Sequence, residues 1–155
     1  MGHVVVIGAG QAGASCVAKL RNGGYDGDVT LIGAEPVAPY QRPPLSKAYL
    51  MGEMPLDRLF LRPERFYAEN DIALRTDARV DAIDVAAQTV TLSGETLAYD
   101  DLVLATGSEP RRLPAAIGGD LGNVFTVRDL ADADAMAPHF KDGARVLIIG
   151  GGYIG

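Results

Sequence analysis

The chain has 155 residues, 48% of them hydrophobic and 22% charged, which is the balance of a globular protein with room for one ordinary domain or slightly more. Its net charge of −6 disfavours nucleic acid as a partner, because phosphate binding needs a basic surface. A single cysteine, Cys16, excludes an intrachain disulfide, a CxxC redox pair and a cysteine-rich metal site, and the two histidines, His3 and His139, are too far apart to suggest metal binding.

No apolar stretch is long enough for a membrane span, and Val4 to Ile7 is too short and lacks the basic flank of a signal-peptide core. Met1-Gly2 resembles a myristoylation start, but Val6 stands where Ser or Thr is needed. These features predict a soluble, cytoplasmic protein with neither membrane nor nucleic acid as a partner.

Val4 to Ile7 is a continuous β-branched run, as expected of a strand buried on both faces. Glycines follow at once. Ala14 to Leu20 then reads as a helix that Asn22-Gly23-Gly24 stops, and Asp28 to Ile32 as a second buried strand. Strand, helix and strand within about 30 residues have the spacing of a parallel crossover unit.

A proline-dense loop follows, with Pro36, Pro39, Pro43 and Pro44. Ser46 is expected to cap a short helix through Leu50, and Pro63 to open another running to Glu69. Three short strands are predicted at Arg79 to Asp84, Thr89 to Leu92 and Thr96 to Tyr99. Turn signals at Ala86-Ala87-Gln88 and Ser93-Gly94 separate them, so they read as a β-meander. Leu102 to Ala105 should return to the parallel sheet. Pro110 to Pro114 reads as a linker, Asp129 to Ala137 as a helix ended by Pro138, and Arg145 to Ile149 as one more buried strand.

The chain contains one internal echo: VVVIGAGQAG near its start returns as VLIIGGGYIG at its end. It stops on the last glycine of the second copy, before the helix that such a turn should feed. The expectation is therefore a piece of a longer protein.

Gly8-Ala9-Gly10-Gln11-Ala12-Gly13 is a G-x-G-x-x-G between a strand and a helix. Gly8 would make the tight turn, Gly10 would let a pyrophosphate approach the backbone, and Gly13 would let the helix pack close to the strand. The N–H groups at the helix start would then face the negative phosphates. Glu35 stands just past the second strand, about 20 residues after the last glycine, where a carboxylate can accept hydrogen bonds from ribose hydroxyls. The fingerprint alone does not separate FAD from NAD. Ala105-Thr106-Gly107, at the end of the strand after the meander, has small residues that would let the sheet end lie close to a cofactor.

Tyr40-Gln41-Arg42-Pro43-Pro44-Leu45-Ser46-Lys47 makes the likeness specific. With LVLATGSEPRRLP and LIIGGGYIG, it resembles the FAD-dependent pyridine nucleotide oxidoreductases, in their ferredoxin and rubredoxin reductase branch. The resemblance covers essentially the whole chain. It implies an α/β fold: a Rossmann-like FAD-binding domain with a parallel sheet plus a β-meander, then the truncated start of a second Rossmann-like NAD(P)-binding domain. Residues 1–112 would be the first segment of the FAD-binding domain, and 113–155 the linker and the start of the NAD(P)H-binding domain.

The same resemblance implies the site. Gly8, Gly10, Ala12 and Gly13 would hold the FAD pyrophosphate and Glu35 the ribose. Ala34 stands where some relatives carry a second acid. Arg42 and Lys47 would flank the phosphates and the isoalloxazine. Val80 would meet the adenine through its backbone, Ala105, Thr106 and Gly107 would line the cofactor, and Arg128 would close over it. Gly150, Gly152 and Gly155 would receive NADH or NADPH, with NADH favoured. Read without the family, Lys47 is a solvated helix residue, Arg42 is loop surface, and Arg128 pairs with Asp129 or Asp132.

The implied activity is that of an FAD-dependent NAD(P)H:ferredoxin or rubredoxin reductase, which takes hydride from NAD(P)H. It passes single electrons to an iron–sulfur protein (a 2Fe–2S ferredoxin) or a rubredoxin, feeding a cytochrome P450 or dioxygenase. Hydride transfer needs alignment more than proton shuttling, so no acid–base catalytic residue and no protein-held metal is expected. With no CxxxxC pair, glutathione-reductase-like chemistry is not expected on this segment, and Cys16 reads as a small buried hydrophobe. Two alternatives stay open. One is an inactive fragment or nucleotide-binding module. The other is a related NADH oxidoreductase, like a nitrite-reductase subunit or apoptosis-inducing factor.

Overall fold

The structure is a computed structural model and describes residues 2–152. The chain divides into two compact units, Met1–Tyr40 with Phe60–Gly107, and Gln41–Leu59 with Ser108–Gly155. Among the described residues, no helix is long and apolar enough to cross a membrane.

The first unit is built on a four-stranded sheet whose strands run in the order Ile72–Arg75, Asp28–Ile32, His3–Ile7 and Asp101–Leu104. Its strands are β1 (His3–Ile7), β2 (Asp28–Ile32), β3 (Ile72–Arg75) and β7 (Asp101–Leu104), and every neighbouring pair is parallel. The crossover helix α1 (Gln11–Asn22) joins β1 to β2, and α2 (Arg65–Glu69) leads into β3. A second sheet is the antiparallel meander β4 (Val80–Asp84), β5 (Thr89–Leu92) and β6 (Glu95–Ala98).

Alternation along the strands explains why the parallel sheet has layers on both faces. Val4, Val6, Val29 and Leu31 pack with Val17 of α1 and with Tyr67, Ile72 and Ala38. Val5, Ile7 and Ile32 point the other way and pack against Val90, Leu92 and Tyr99. The meander thus seals the face that α1 leaves open. The Arg75 guanidinium on β3 also pairs with the Glu95 carboxylate on β6 at 2.6 Å, which ties the two sheets at one edge.

The second unit has no strand among its described residues. It holds α3 (Leu130–Met136) and four short 3-10 turns: Pro43–Ser46, Leu56–Arg58, Ala115–Ile117 and Ala137–His139. Asp129 caps α3, accepting a hydrogen bond from the Asp132 N–H at 2.9 Å. Leu45, Leu130, Ala133 and Met136 are its buried side chains on and around α3.

The order strand–helix–strand, the meander and the return of β7 to the parallel sheet agree with the sequence expectations. Four details differ. β3 was not anticipated. The segment after Pro43 is a 3-10 helix that ends at Ser46, with hydrogen-bonded turns beyond, so Ser46 does not cap a helix. Arg145 to Ile149 forms no strand, and Val146, Leu147, Ile148 and Ile149 are exposed, Leu147 by 86%. A buried strand needs a pairing neighbour, and the described part of its own unit offers none. Cys16 is half-buried rather than buried, packed at the margin of the α1 core.

Candidate dinucleotide site

β1 ends at Ile7, and the chain turns at Gly8 with φ of +114°, a conformation that L side chains rarely adopt. The Gly8 N–H donates to the Ile32 carbonyl at 2.8 Å, and the Ala105 N–H donates to the Ile7 carbonyl at 2.7 Å. The end of β7 is thereby drawn over the turn, so that a Cβ on Gly8 would come within 2.9 Å of the Thr106 nitrogen and closer still to Ala105. A Cβ on Gly13 would stand 2.0 Å from the Gly8 carbonyl oxygen and 3.1 Å from the Leu31 side chain. Only glycine lets the first turn of α1 press this closely on the strand ends.

Gly10 differs from both. It is the N-cap of α1, and a Cβ there would meet nothing within 4 Å. No side chain caps the helix, and no acidic residue stands in its first turn. The first N–H groups of a helix have no intrahelical acceptor and carry partial positive charge. The space beside Gly10 is therefore suited to an anionic group held by the N–H groups of the turn around Gln11, Ala12 and Gly13. Gln11 and Ala12 are exposed.

Past β2, Gly33 comes so near Ala9 that an added Cβ would lie 2.5 Å from the alanine Cβ. The Gly33 N–H donates to the Arg75 carbonyl, while the Ala78 and Asp77 N–H groups donate to the carbonyls of Gly33 and Glu35, at 2.8 to 2.9 Å. This lacing brings the start of β4, at Val80, alongside the Glu35 segment. The Tyr40 hydroxyl donates to the Glu35 carboxylate, which fixes the direction of that half-buried side chain. Val80 is half-buried against the meander-side core. Ala105 is half-buried, whereas Thr106 and Gly107 are exposed.

In the second unit, the Arg42 guanidinium donates to the Arg128 carbonyl at 2.7 Å, so these two sequence-predicted residues meet. The Arg128 N–H donates to the Asp132 carboxylate at 2.8 Å, and the contact anticipated between these two residues is made by the backbone of Arg128. Lys47 is exposed, with its ammonium 3.3 Å from the Pro43 carbonyl. Two residues on, the Tyr49 hydroxyl donates to the Asp134 carboxylate of α3 at 2.7 Å. Burial and this hydrogen bond together push the Tyr49 phenol up to about 12. Gly150 has φ of +113°, and a Cβ on Gly150 or Gly152 would meet nothing within 4 Å. Gly155 lies outside the described residues.

Gly33 and Tyr40 were not singled out from the sequence. The glycine directly after β2 was a signal for a close approach. Nothing in the spacing of Tyr40 marked it as the partner of Glu35.

A parallel sheet, a glycine turn with an open N-terminus at its centre, and a carboxylate past the second strand define a dinucleotide-binding fold. The chain belongs to the pyridine nucleotide-disulphide oxidoreductase family, whose model matches residues 2–155. It is 44% identical to a ferredoxin–NAD(P)+ reductase of Sphingomonas sp over 98% of its length, covering 37% of that protein. It is 40% identical to a rubredoxin–NAD+ reductase of Pseudomonas putida over 98% of its length, covering 40% of that protein. Among solved structures it is similar to the covalent putidaredoxin reductase–putidaredoxin complex, with a TM-score of 0.83 and 42% identity over 88% of this chain and 34% of that one. The chain thus spans well under half the length of the curated relatives it matches. Despite the family's name, the only cysteine in these 155 residues is Cys16.

Proposed function

We propose that this chain supplies the ADP-binding part of the FAD site, and the beginning of the NAD(P)H site, of an FAD-dependent NAD(P)H:ferredoxin or rubredoxin reductase. The observation that carries the reading is the contrast among the three glycines. Gly8 and Gly13 are filled by backbone, while Gly10 opens on an uncapped helix N-terminus, where an anionic pyrophosphate could lie against the free N–H groups. The residues fit FAD.

Gly10, Ala12 and Gly13 would receive the pyrophosphate through N–H groups, with Gly8 shaping the turn. Glu35, oriented by Tyr40, would accept the ribose hydroxyls, and the Val80 backbone would meet the adenine. Ala105, Thr106 and Gly107 would line the cofactor, and Arg42, Lys47 and Arg128 would supply positive charge. Gly150, Gly152 and Gly155 would receive NADH or NADPH. When bound, the flavin accepts hydride from the nicotinamide and releases electrons one at a time. Residues 1–112 serve as the first segment of the FAD-binding domain, and residues 113–155 lead into the NAD(P)H-binding domain. The electron acceptor is a 2Fe–2S ferredoxin or a rubredoxin, by likeness to the reductases above. A cytoplasmic location fits the reductant, since NAD(P)H is held inside cells.

The test is to purify the FAD-loaded protein and measure NADH-dependent reduction of a 2Fe–2S ferredoxin and of a rubredoxin. Flavin that NADH bleaches without air, with electrons then reaching either carrier, is the expected result. A protein that takes up no flavin, or whose flavin NADH leaves oxidised, would overturn the reading.

A further inference from the structure

The segment carrying Lys47 is laced along its own backbone. The Leu45 N–H donates to the Arg42 carbonyl, the Lys47 and Tyr49 N–H groups both donate to the Pro44 carbonyl, and the Met51 N–H donates to the Lys47 carbonyl, all at 2.9 to 3.0 Å. Pro43 and Pro44 remove further freedom, since each fixes its own φ. The segment therefore behaves as a stiff bracket with Lys47 near its middle.

Two side chains fasten this bracket to the α3 region, one at each end. Arg42 reaches the Arg128 carbonyl just before α3, and the Tyr49 hydroxyl reaches Asp134 in the body of the helix. Between them, Leu45 is buried, as are Leu130, Ala133 and Met136 of α3. The Lys47 side chain is exposed, and the hydrogen bond its ammonium makes among the described residues, to the Pro43 carbonyl, is long and local. The position of its ammonium is thus set by the bracket rather than by contacts of its own. Tyr49 stands two residues from Lys47, so its bond to Asp134 is the fastening nearest that lysine.

We propose that Tyr49 and Asp134 are positioning residues, a hydrogen-bonded latch that holds the Pro43–Tyr49 bracket on α3 and so fixes where Lys47 presents its charge. This inference rests on the proposed role of Lys47 at the flavin. Burial and the Asp134 carboxylate keep the Tyr49 phenol protonated to about pH 12, so the latch stays a donor–acceptor pair throughout the working range. Asp134 needs only an acceptor oxygen for this, and an asparagine amide oxygen can serve.

The experiment is a set of variants of the FAD-loaded reductase: Lys47→Ala, Tyr49→Phe, Asp134→Ala, Asp134→Asn and the double variant Lys47→Ala/Tyr49→Phe. Tyr49→Phe and Asp134→Ala are each expected to lower kcat about three- to tenfold, the size of one lost hydrogen bond. Flavin content and the KM for NADH should stay within about twofold, and Asp134→Asn should restore kcat to near wild type. The decisive reading is the double variant. If the latch acts through Lys47, adding Tyr49→Phe to Lys47→Ala costs nothing further, whereas a merely structural role would multiply the two losses. Wild-type kcat in Tyr49→Phe while Lys47→Ala is impaired overturns the latch and leaves the role of Lys47 standing, and multiplied losses do the same. Unchanged turnover in Lys47→Ala overturns the role of Lys47 and the latch with it.

Discussion

Gly8 and Ala105 approach more closely than any side chain would allow: a Cβ on Gly8 would stand 2.1 Å from the Ala105 carbonyl oxygen. The obstacle is backbone, which cannot swing aside, and Gly8 also has φ of +114°. Gly8→Ala should therefore destabilise the fold by about 2–4 kcal/mol, through overpacking and backbone strain together. Denaturant unfolding with an unchanged m-value checks this. A variant as stable as wild type would mean that β7 does not lie over the turn.

Arg21, at the end of α1, donates to the carbonyls of Asn70, Tyr25, Gly27 and Asp71 at 2.6 to 2.8 Å. One guanidinium thus ties the end of α1 to the turn before β2 and to the turn before β3, where it also complements the helix dipole. Arg21→Ala should cost about 2–3 kcal/mol, because several carbonyls lose a charged donor at once. Arg21→Lys should recover only part of that, since an ammonium cannot reproduce the planar fork. Thermal unfolding of both variants is the measurement, and equal stability of Arg21→Lys and wild type would contradict the multiple-carbonyl role.

Tyr67 is almost wholly buried, and its hydroxyl has no hydrogen-bond partner among the described residues. Burial pushes its phenol up to about 12, as burial and Asp134 do for Tyr49, from an ordinary value of 10.0. Both shifts are upward, so their stabilising contribution is complete below pH 10 and is lost as pH rises through 12. Titration of phenolate absorbance should show Tyr49 and Tyr67 ionising late, together with an unfolding step, with Tyr25 also held above its ordinary value by burial and the nearby Asp101 and Asp100. Tyr67→Phe should remove one late-titrating group, weaken the alkaline loss of stability, and cost under about 1 kcal/mol at neutral pH, because no hydrogen bond is given up. A large loss at neutral pH would mean that the hydroxyl is satisfied.

The first crossover unit was legible in the sequence because its information is local. Val4 to Ile7 and Asp28 to Ile32 are β-branched runs around a helix, and the glycines between them have separable steric tasks. β3 escaped because Ile72 and Leu74 give only two apolar positions, and its strand state depends on pairing with the distant β2. Arg145 to Ile149 is the converse case, an apolar run with the composition of a strand that forms none. Composition cannot report whether a neighbour exists to accept its hydrogen bonds. At the site, Gly8, Gly10, Gly13 and Glu35 were readable from spacing. Gly33 against Ala9, Tyr40 on Glu35, and Tyr49 on Asp134 are contacts of the folded chain, and only the last two involve side chains able to donate or accept.

The central claim is that the space beside Gly10 holds the FAD pyrophosphate, and Gly10→Val tests it most directly. A Cβ at Gly10 meets nothing within 4 Å, and the residue has φ of −91°, which valine can adopt. The substitution should therefore leave the fold intact, at a cost of about 1 kcal/mol from the poorer helix cap. Its branched side chain would occupy the open space that the phosphates need. Flavin content and unfolding midpoint should be measured on the same preparation. The account predicts loss of bound FAD with a near wild-type midpoint in flavin-free protein, whereas a folded Gly10→Val protein with full flavin content would contradict it.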